Sequence, residues 1–235
     1  MSGRRMTGAA AIALAVAFNI PYAALAALYA YPQVLRGPPG EALDLFAAGG
    51  PPLVLAWIGF MLCALALVPM STALAVTPER LARRPALAVG SAVSGALAGL
   101  AQAIGLSRWV FAVPALAKEH ADPAMRAATE QAFALVNAWG GVAIGEHLGQ
   151  LLTAFFVLQI ALMQHGEGRR IAGPLGFLTA ALIFIGAGEG LAIALGRSGE
   201  GFALATIAGF LGLTLWLVAT GVALLRAAPA LRATA

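Results

Sequence analysis

Six stretches of the chain carry apolar residues with little interruption, separated by short segments where Arg, Pro, Gly and acids collect. A run of about 20 such residues is long enough to cross ~30 Å of hydrocarbon as a helix. The pattern predicts spans at Gly8–Ala30, Pro52–Val76, Pro85–Leu106, Phe133–Met163, Ile171–Leu195 and Phe202–Leu225. The first run is longer than a signal-peptide core, holds Asn19 and Pro21, and lacks a small-x-small stop, so it reads as a retained span. The expected fold is all-α, a polytopic transmembrane bundle forming one integral membrane domain over residues 1–235.

The connecting segments carry helix signals of their own. Gly40 to Ala48 follows Pro38 and Pro39, has acids in its first turn and stops at Gly49-Gly50, which predicts a short helix. Leu43 and Phe46 share one face of it, so the helix is expected to lie on the membrane surface. Thr77-Pro78-Glu79 reads as an N-cap followed by Pro at the first helical position. Asp122-Pro123 is the same device and predicts a helical extension running into the fourth span. Unbroken to Met163, that helix would be about 60 Å long, so it must project from the membrane or bend at Gly140-Gly141.

Composition changes little in this picture and removes alternatives. Of 235 residues, 61% are hydrophobic and 10% charged, with mean hydropathy +0.89, more apolar surface than a soluble domain can hide. The pI near 10.0 does not point to nucleic acid, because the basic residues sit beside apolar spans rather than along a stripe. With the N-terminus inside, Arg4, Arg5, Arg80, Arg83, Arg84, Arg169, Arg170, Arg226 and Arg232 fall on the inner side. Arg36, Arg108, Lys118, Arg126 and Arg197 fall on the outer side, with the Arg pairs all inner. That asymmetry predicts N-in and C-in. Cys63 is the single cysteine, which leaves no intramolecular disulfide and no cysteine metal cluster; no metal or cofactor is expected. Abundant Ala and Arg beside one Lys suit a GC-rich bacterial genome, and with it a bacterial inner membrane.

Against that background the intramembrane polar residues stand out. Counting helix rise from the inner end, Glu146 and Glu189 each lie about 25 Å up their spans, with Gln102 at about 24 Å and Arg108 at about 33 Å. Gln150 is one turn below Glu146 on the same face, and Asn137 is further out on that span. Ionisable groups in hydrocarbon cost several kcal/mol unless paired or hydrated, so they mark candidate sites. The candidate ligand-binding residues are therefore Arg108, Asn137, Glu146, His147, Gln150 and Glu189. Each also has an ordinary role open to it. Arg108 followed by Trp109 reads either as an interfacial anchor or as a partner for one of the glutamates. Glu146 and Glu189 would equally serve as buried helix-to-helix hydrogen bonds, and His147 as a packed helix residue. Glu146-His147 is not the His-Glu-x-x-His metalloprotease pattern. Gly141, Gly145 and Gly149 repeat every four residues, as do Ser91, Gly95 and Gly99, and Gly186 with Gly190. Such faces serve close helix contact, within the chain or in an oligomer.

Several segments together resemble a known family. They are Tyr31-Pro-Gln-Val-Leu-Arg36, Leu45-Phe-Ala-Ala-Gly-Gly50, Gly105-Leu-Ser-Arg-Trp-Val-Phe-Ala-Val-Pro-Ala-Leu116, and Gly145-Glu-His-Leu-Gly149 leading into Leu151-Leu-Thr-Ala154. In these the chain resembles bacterial integral membrane proteins grouped as domain of unknown function 4386. The resemblance implies a small multi-span membrane protein and supplies no activity, substrate or cofactor. Arg108, Glu146 and His147 lie in the resembling segments, whereas Glu189 rests on the residues alone. Three functions fit: binding or transport of a small molecule or lipid through a polar cavity open to the outer face; an intramembrane enzyme using a glutamate as general acid on a lipid-soluble substrate; or a structural or sensory subunit without chemistry of its own. Against transport, the chain lacks a clear three-plus-three internal repeat.

Overall fold

The computed structural model describes residues 3–226. Arg232, counted above on the inner side, lies outside the described residues. Every regular element is helical among the described residues, and six helices are long and apolar enough to cross a membrane.

The chain begins with α1 (Gly3–Tyr29), which carries Pro21 inside it. A short strap follows, ending in a 3-10 turn over Gln33–Arg36. Helix α2 (Pro39–Ala75) is broken at Gly50, where φ is 56° and ψ −154°. Only glycine adopts that backbone at no steric penalty, so Gly50 separates the short helix foreseen between Pro39 and Gly49 from the second span. A one-turn α3 (Pro78–Arg83) opens on Thr77, whose side chain accepts the Arg80 N–H at 3.2 Å. Glu79 sits in that first turn. Its own backbone N–H and then the Thr77 hydroxyl hold its carboxyl below the usual range.

The third span is α4 (Pro85–Phe111), extended by α5 (Val113–His120) with Pro114 in its first turn. This span runs past Leu106, because Pro114 has no N–H to lose in a helical first turn and starts a new helix instead of ending the old one. The fourth is continuous over Arg126–Gly166: α6 (Arg126–Val136), a π-helical segment (Asn137–Leu148) and α7 (Gly149–Gly166). It starts at Arg126 rather than at Asp122-Pro123, where the Asp122 carboxylate instead accepts the Ala124 N–H in a turn. Gly140-Gly141 does not break this helix; the region around it is wound as the π-helical segment. The fifth span is α8 (Ala172–Gly186) and α9 (Gly188–Ala194), interrupted at Ala187, and the sixth is α10 (Glu200–Arg226).

The six spans pack as a closed ring in chain order, each on the next and α10 back on α1. Close crossings rest on small residues. A Cβ on Gly145 would stand 2.9 Å from the Cα of Gly105, and one on Gly99 only 2.6 Å from the Ala64 carbonyl oxygen. Gly8 and Gly221 meet in the same way where α1 crosses α10. In lipid this packing, rather than release of water, holds helices together. The glycine faces foreseen for contact are thus occupied within the chain: Gly141, Gly145 and Gly149 face Arg108, Gly105 and Gln102 of α4.

Two apolar clusters fill the ring. One, around Leu67, Phe156, Ile160 and Trp216, lies toward the arginine-rich end. The other is aromatic and closes the opposite end beneath the strap. There Trp57 and Trp109 stack at 4.8 Å with Tyr29 edge-on to both, and the Tyr29 hydroxyl donates to the Ala42 carbonyl at 2.8 Å. Leu43 and Phe46 belong to this cluster, with 0% and 4% exposure. The short helix before Gly50 therefore buries its apolar face in protein and not in the membrane surface, because the aromatic rings offer it a dry, shaped partner. Trp109 is buried in the same place.

Candidate functional site

The strap positions a residue that counting charges alone treats as an ordinary loop cation. Arg36 ends the 3-10 turn, and its guanidinium reaches back to the bundle, donating through Nη2 to Glu146 Oε2 and through Nε to Glu189 Oε1 at 2.9 Å. Glu146 comes from the π-helical segment and Glu189 from the first turn of α9. Three elements thus meet on one cation. The side chains are 33%, 22% and 13% exposed for Arg36, Glu146 and Glu189, so the cluster is partly open, not sealed. Burial draws the Arg36 pKa down, but Glu146 and then Glu189 more than offset this and raise it above the ordinary guanidinium value. Tyr31, at the base of the strap, is pushed up by burial and by the nearby Glu146, and its hydroxyl stays protonated.

Arg108 is the second cation of the region and is 7% exposed. It is neither an interfacial anchor nor a direct ion-pair partner of a glutamate: its Nη1 donates to the Gly105 carbonyl and its Nη2 to Asn137 Oδ1 at 3.1 Å. Within salt-bridge distance both glutamates belong to Arg36. Gly141 makes the room for Arg108, since a Cβ there would lie 2.6 Å from Nη2. Asn137 in turn donates from Nδ2 to the Leu35 carbonyl at 3.4 Å, which ties Arg108 to the strap.

His147 faces the fifth span. Its Nδ1 lies 2.7 Å from the Ala187 carbonyl oxygen. A carbonyl only accepts, so Nδ1 carries a proton. The contact falls at the break between α8 and α9, two residues before Glu189, and Gly190 gives the imidazole its space. Gln150 is 5% exposed, and its Oε1 has no hydrogen-bond partner; the same holds for Glu146 Oε1 and Arg108 Nε. Gln102 binds Thr153 at 2.8 Å, apart from the charged cluster.

Of the six candidates, Glu146 and Glu189 come together through Arg36, Arg108 and Asn137 bind one another beside the strap, and His147 braces the span that carries Glu189. Gln150 lies one turn from Glu146 without a bond to the cluster. The missing member was Arg36. Its signal was available: a connection of fewer than ten residues between Tyr29 and Pro39 holds Arg36 at the bundle end, within reach of any carboxylate there. Among the described residues, no three His, Cys, Asp or Glu side chains are placed to ligate one metal ion. Chemically, the arrangement can hold a cation between two carboxylates and present protonated donors from Arg108, Asn137 and Tyr31 nearby.

No curated protein and no solved structure matches the chain. The family described as Domain of unknown function (DUF4386) matches residues 6–221, nearly the whole described bundle, and the protein belongs to that family.

Proposed function

We propose that this membrane protein binds, and carries across the bilayer, a small polar molecule at the cluster formed by Arg36, Glu146 and Glu189. The observation that carries the reading is the convergence of two carboxylates from adjacent spans on a single partly exposed guanidinium. A bundle held only by packing has no need of two span carboxylates converging on one loop guanidinium, since polar groups in a span are costly. The π-helical winding at Glu146 supports the same reading, since such segments give up regular helix geometry and recur where side chains must be aimed. The eight arginines Arg4, Arg5, Arg80, Arg83, Arg84, Arg169, Arg170 and Arg226 lie toward the other end of the ring, which supports an inner location for that end and an outer one for the strap. A bacterial inner membrane suits the Ala- and Arg-rich composition.

The test is mass spectrometry of small molecules and lipids that copurify with the wild-type chain and with Glu146→Gln and Glu189→Gln. The expected result is a compound retained by wild type, lost from both variants, and stabilising only wild type in thermal unfolding. If both variants fold and hold the same compounds as wild type, the site reading is wrong. If both fail to fold even in mild detergent, the carboxylates hold the bundle together and nothing more.

A further inference from the structure

The cluster already contains a cation, and that cation belongs to a loop. Glu146, Glu189, Arg36 and Arg108 carry charges that sum to zero, two negative and two positive. Arg108 is held in place by Gly105 and Asn137 deep between α4 and the π-helical segment, whereas Arg36 rides on a strap whose Val34 and Leu35 pack on the aromatic cluster and whose polar ties to the site are its own guanidinium and the Asn137–Leu35 contact. If Arg36 withdraws, one negative charge is left uncompensated in a membrane-spanning region, which is unfavourable unless another monocation takes the place. A second observation points the same way. Glu146 Oε1 and Gln150 Oε1 are buried acceptors with no donor, one helical turn apart, and Gln150 is 95% buried by its 5% exposure. Arg36 satisfies only the other oxygen of Glu146. A small cation with several N–H groups would satisfy what Arg36 leaves unmet.

We propose that the ligand of this site is a small N–H-rich monocation, a guanidinium or primary ammonium compound, and that the Arg36 strap is its tethered competitor, docked when the ligand is absent and released when it binds. This rests on the small-molecule reading above and narrows it to a charge and a donor type. An anionic ligand would instead have to meet two carboxylates.

Guanidinium itself is the probe. The full chain, Arg36→Ala and Arg36→Ala/Glu146→Gln are unfolded thermally in detergent with millimolar guanidinium chloride, against sodium chloride at equal ionic strength. Arg36→Ala is expected to melt roughly 5 °C below wild type, with most of the loss recovered saturably by guanidinium and not by sodium, and with no recovery in the double variant. Recovery that is absent, equal with sodium, or kept in the double variant overturns the proposal. A second measurement keeps Arg36. Val34, in the strap itself and 7% exposed, is changed to cysteine in a Cys63→Ser chain. Maleimide labelling of Val34→Cys should quicken about twofold once guanidinium reaches the millimolar effective concentration of a short tether. No change in the labelling rate overturns displacement of the strap even if Arg36→Ala does not fold. A copurified anion or neutral molecule that depends on Glu146, with no guanidinium response, sinks the monocation alone. The absence of any Glu146-dependent ligand sinks both readings.

Discussion

Arg36 and Arg108 show how differently two arginines at one end of a bundle are used. Arg36 is held by charge. Its raised pKa belongs to a group that is stabilising below its unfolded value and loses that contribution only as pH climbs through the folded one. Arg36 stays charged in moderate alkali, so the strap should remain docked to about pH 10, which iodoacetamide labelling of Val34→Cys against pH would show as a flat profile after correction for thiolate reactivity. Arg108 is held by geometry, its fork meeting the Gly105 carbonyl and Asn137 at once. Lysine cannot reproduce that fork. Arg108→Lys should lower stability by about 2 kcal/mol, and a double-mutant cycle with Asn137→Ala should give a coupling of about 1 kcal/mol in thermal unfolding. A coupling near zero would mean the contact carries no stability. At the opposite end, arginines that set the charge asymmetry also bind helix ends: Arg80 reaches the Leu74 carbonyl and pairs with Glu167, Arg84 reaches Leu162 at 2.9 Å, and Arg169 reaches Ala223 at 3.4 Å. Cations there oppose the negative ends of α2, α7 and α10.

At the scale of elements, the π-helical segment decides where Glu146 and His147 point. Two of its glycines and the Gly149 that opens α7 run as a line against α4, with Gly141 over Arg108, Gly145 over Gly105 and Gly149 over Gln102. The four-residue spacing of that line was plain from the residues, and so was its use in close contact. The winding was not, because no residue pattern in Asn137–Leu148 distinguishes i→i+5 from i→i+4 bonding. Gly145→Val would put side-chain atoms into the Gly105 backbone and cannot be relieved by a rotamer change. We expect a loss of about 2–3 kcal/mol, with Glu146 displaced from Arg36. Gly140→Ala, where an added Cβ meets nothing within 4 Å, is the control and should be close to neutral. Equal melting of the two variants would contradict the packing described here. The short helix before Gly50 teaches the same point. Its ends were legible from Pro39, the acids and the glycine pair, but whether Leu43 and Phe46 meet lipid or protein depended on Trp109 from a distant span.

The whole molecule is a ring of six helices closed in chain order, with an aromatic plug and a charged strap at one end and arginine-capped helix ends at the other. The inner placement proposed for the arginine-rich end is open to a labelling test. Gly37→Cys, in an exposed strap position where a Cβ meets only the Val34 carbonyl at 3.6 Å, should react with an impermeant maleimide added to intact cells, and Arg83→Cys should not, both in the Cys63→Ser chain. The reverse pattern would invert the assignment. Sequence alone determined the number of spans, the Thr77 helix cap, the charge asymmetry and the presence of Glu146 and Glu189 at a similar level of the bundle. These depend on local quantities: apolar length against hydrocarbon thickness, backbone groups at helix ends, and rise per residue. Only the tertiary structure decided that Arg36 pairs with both glutamates, that Arg108 binds Asn137 instead, and that Tyr29, Phe46, Trp57 and Trp109 face inward. Those outcomes depend on which helices are neighbours in the ring and how closely glycine lets them approach, and no single segment carries that information.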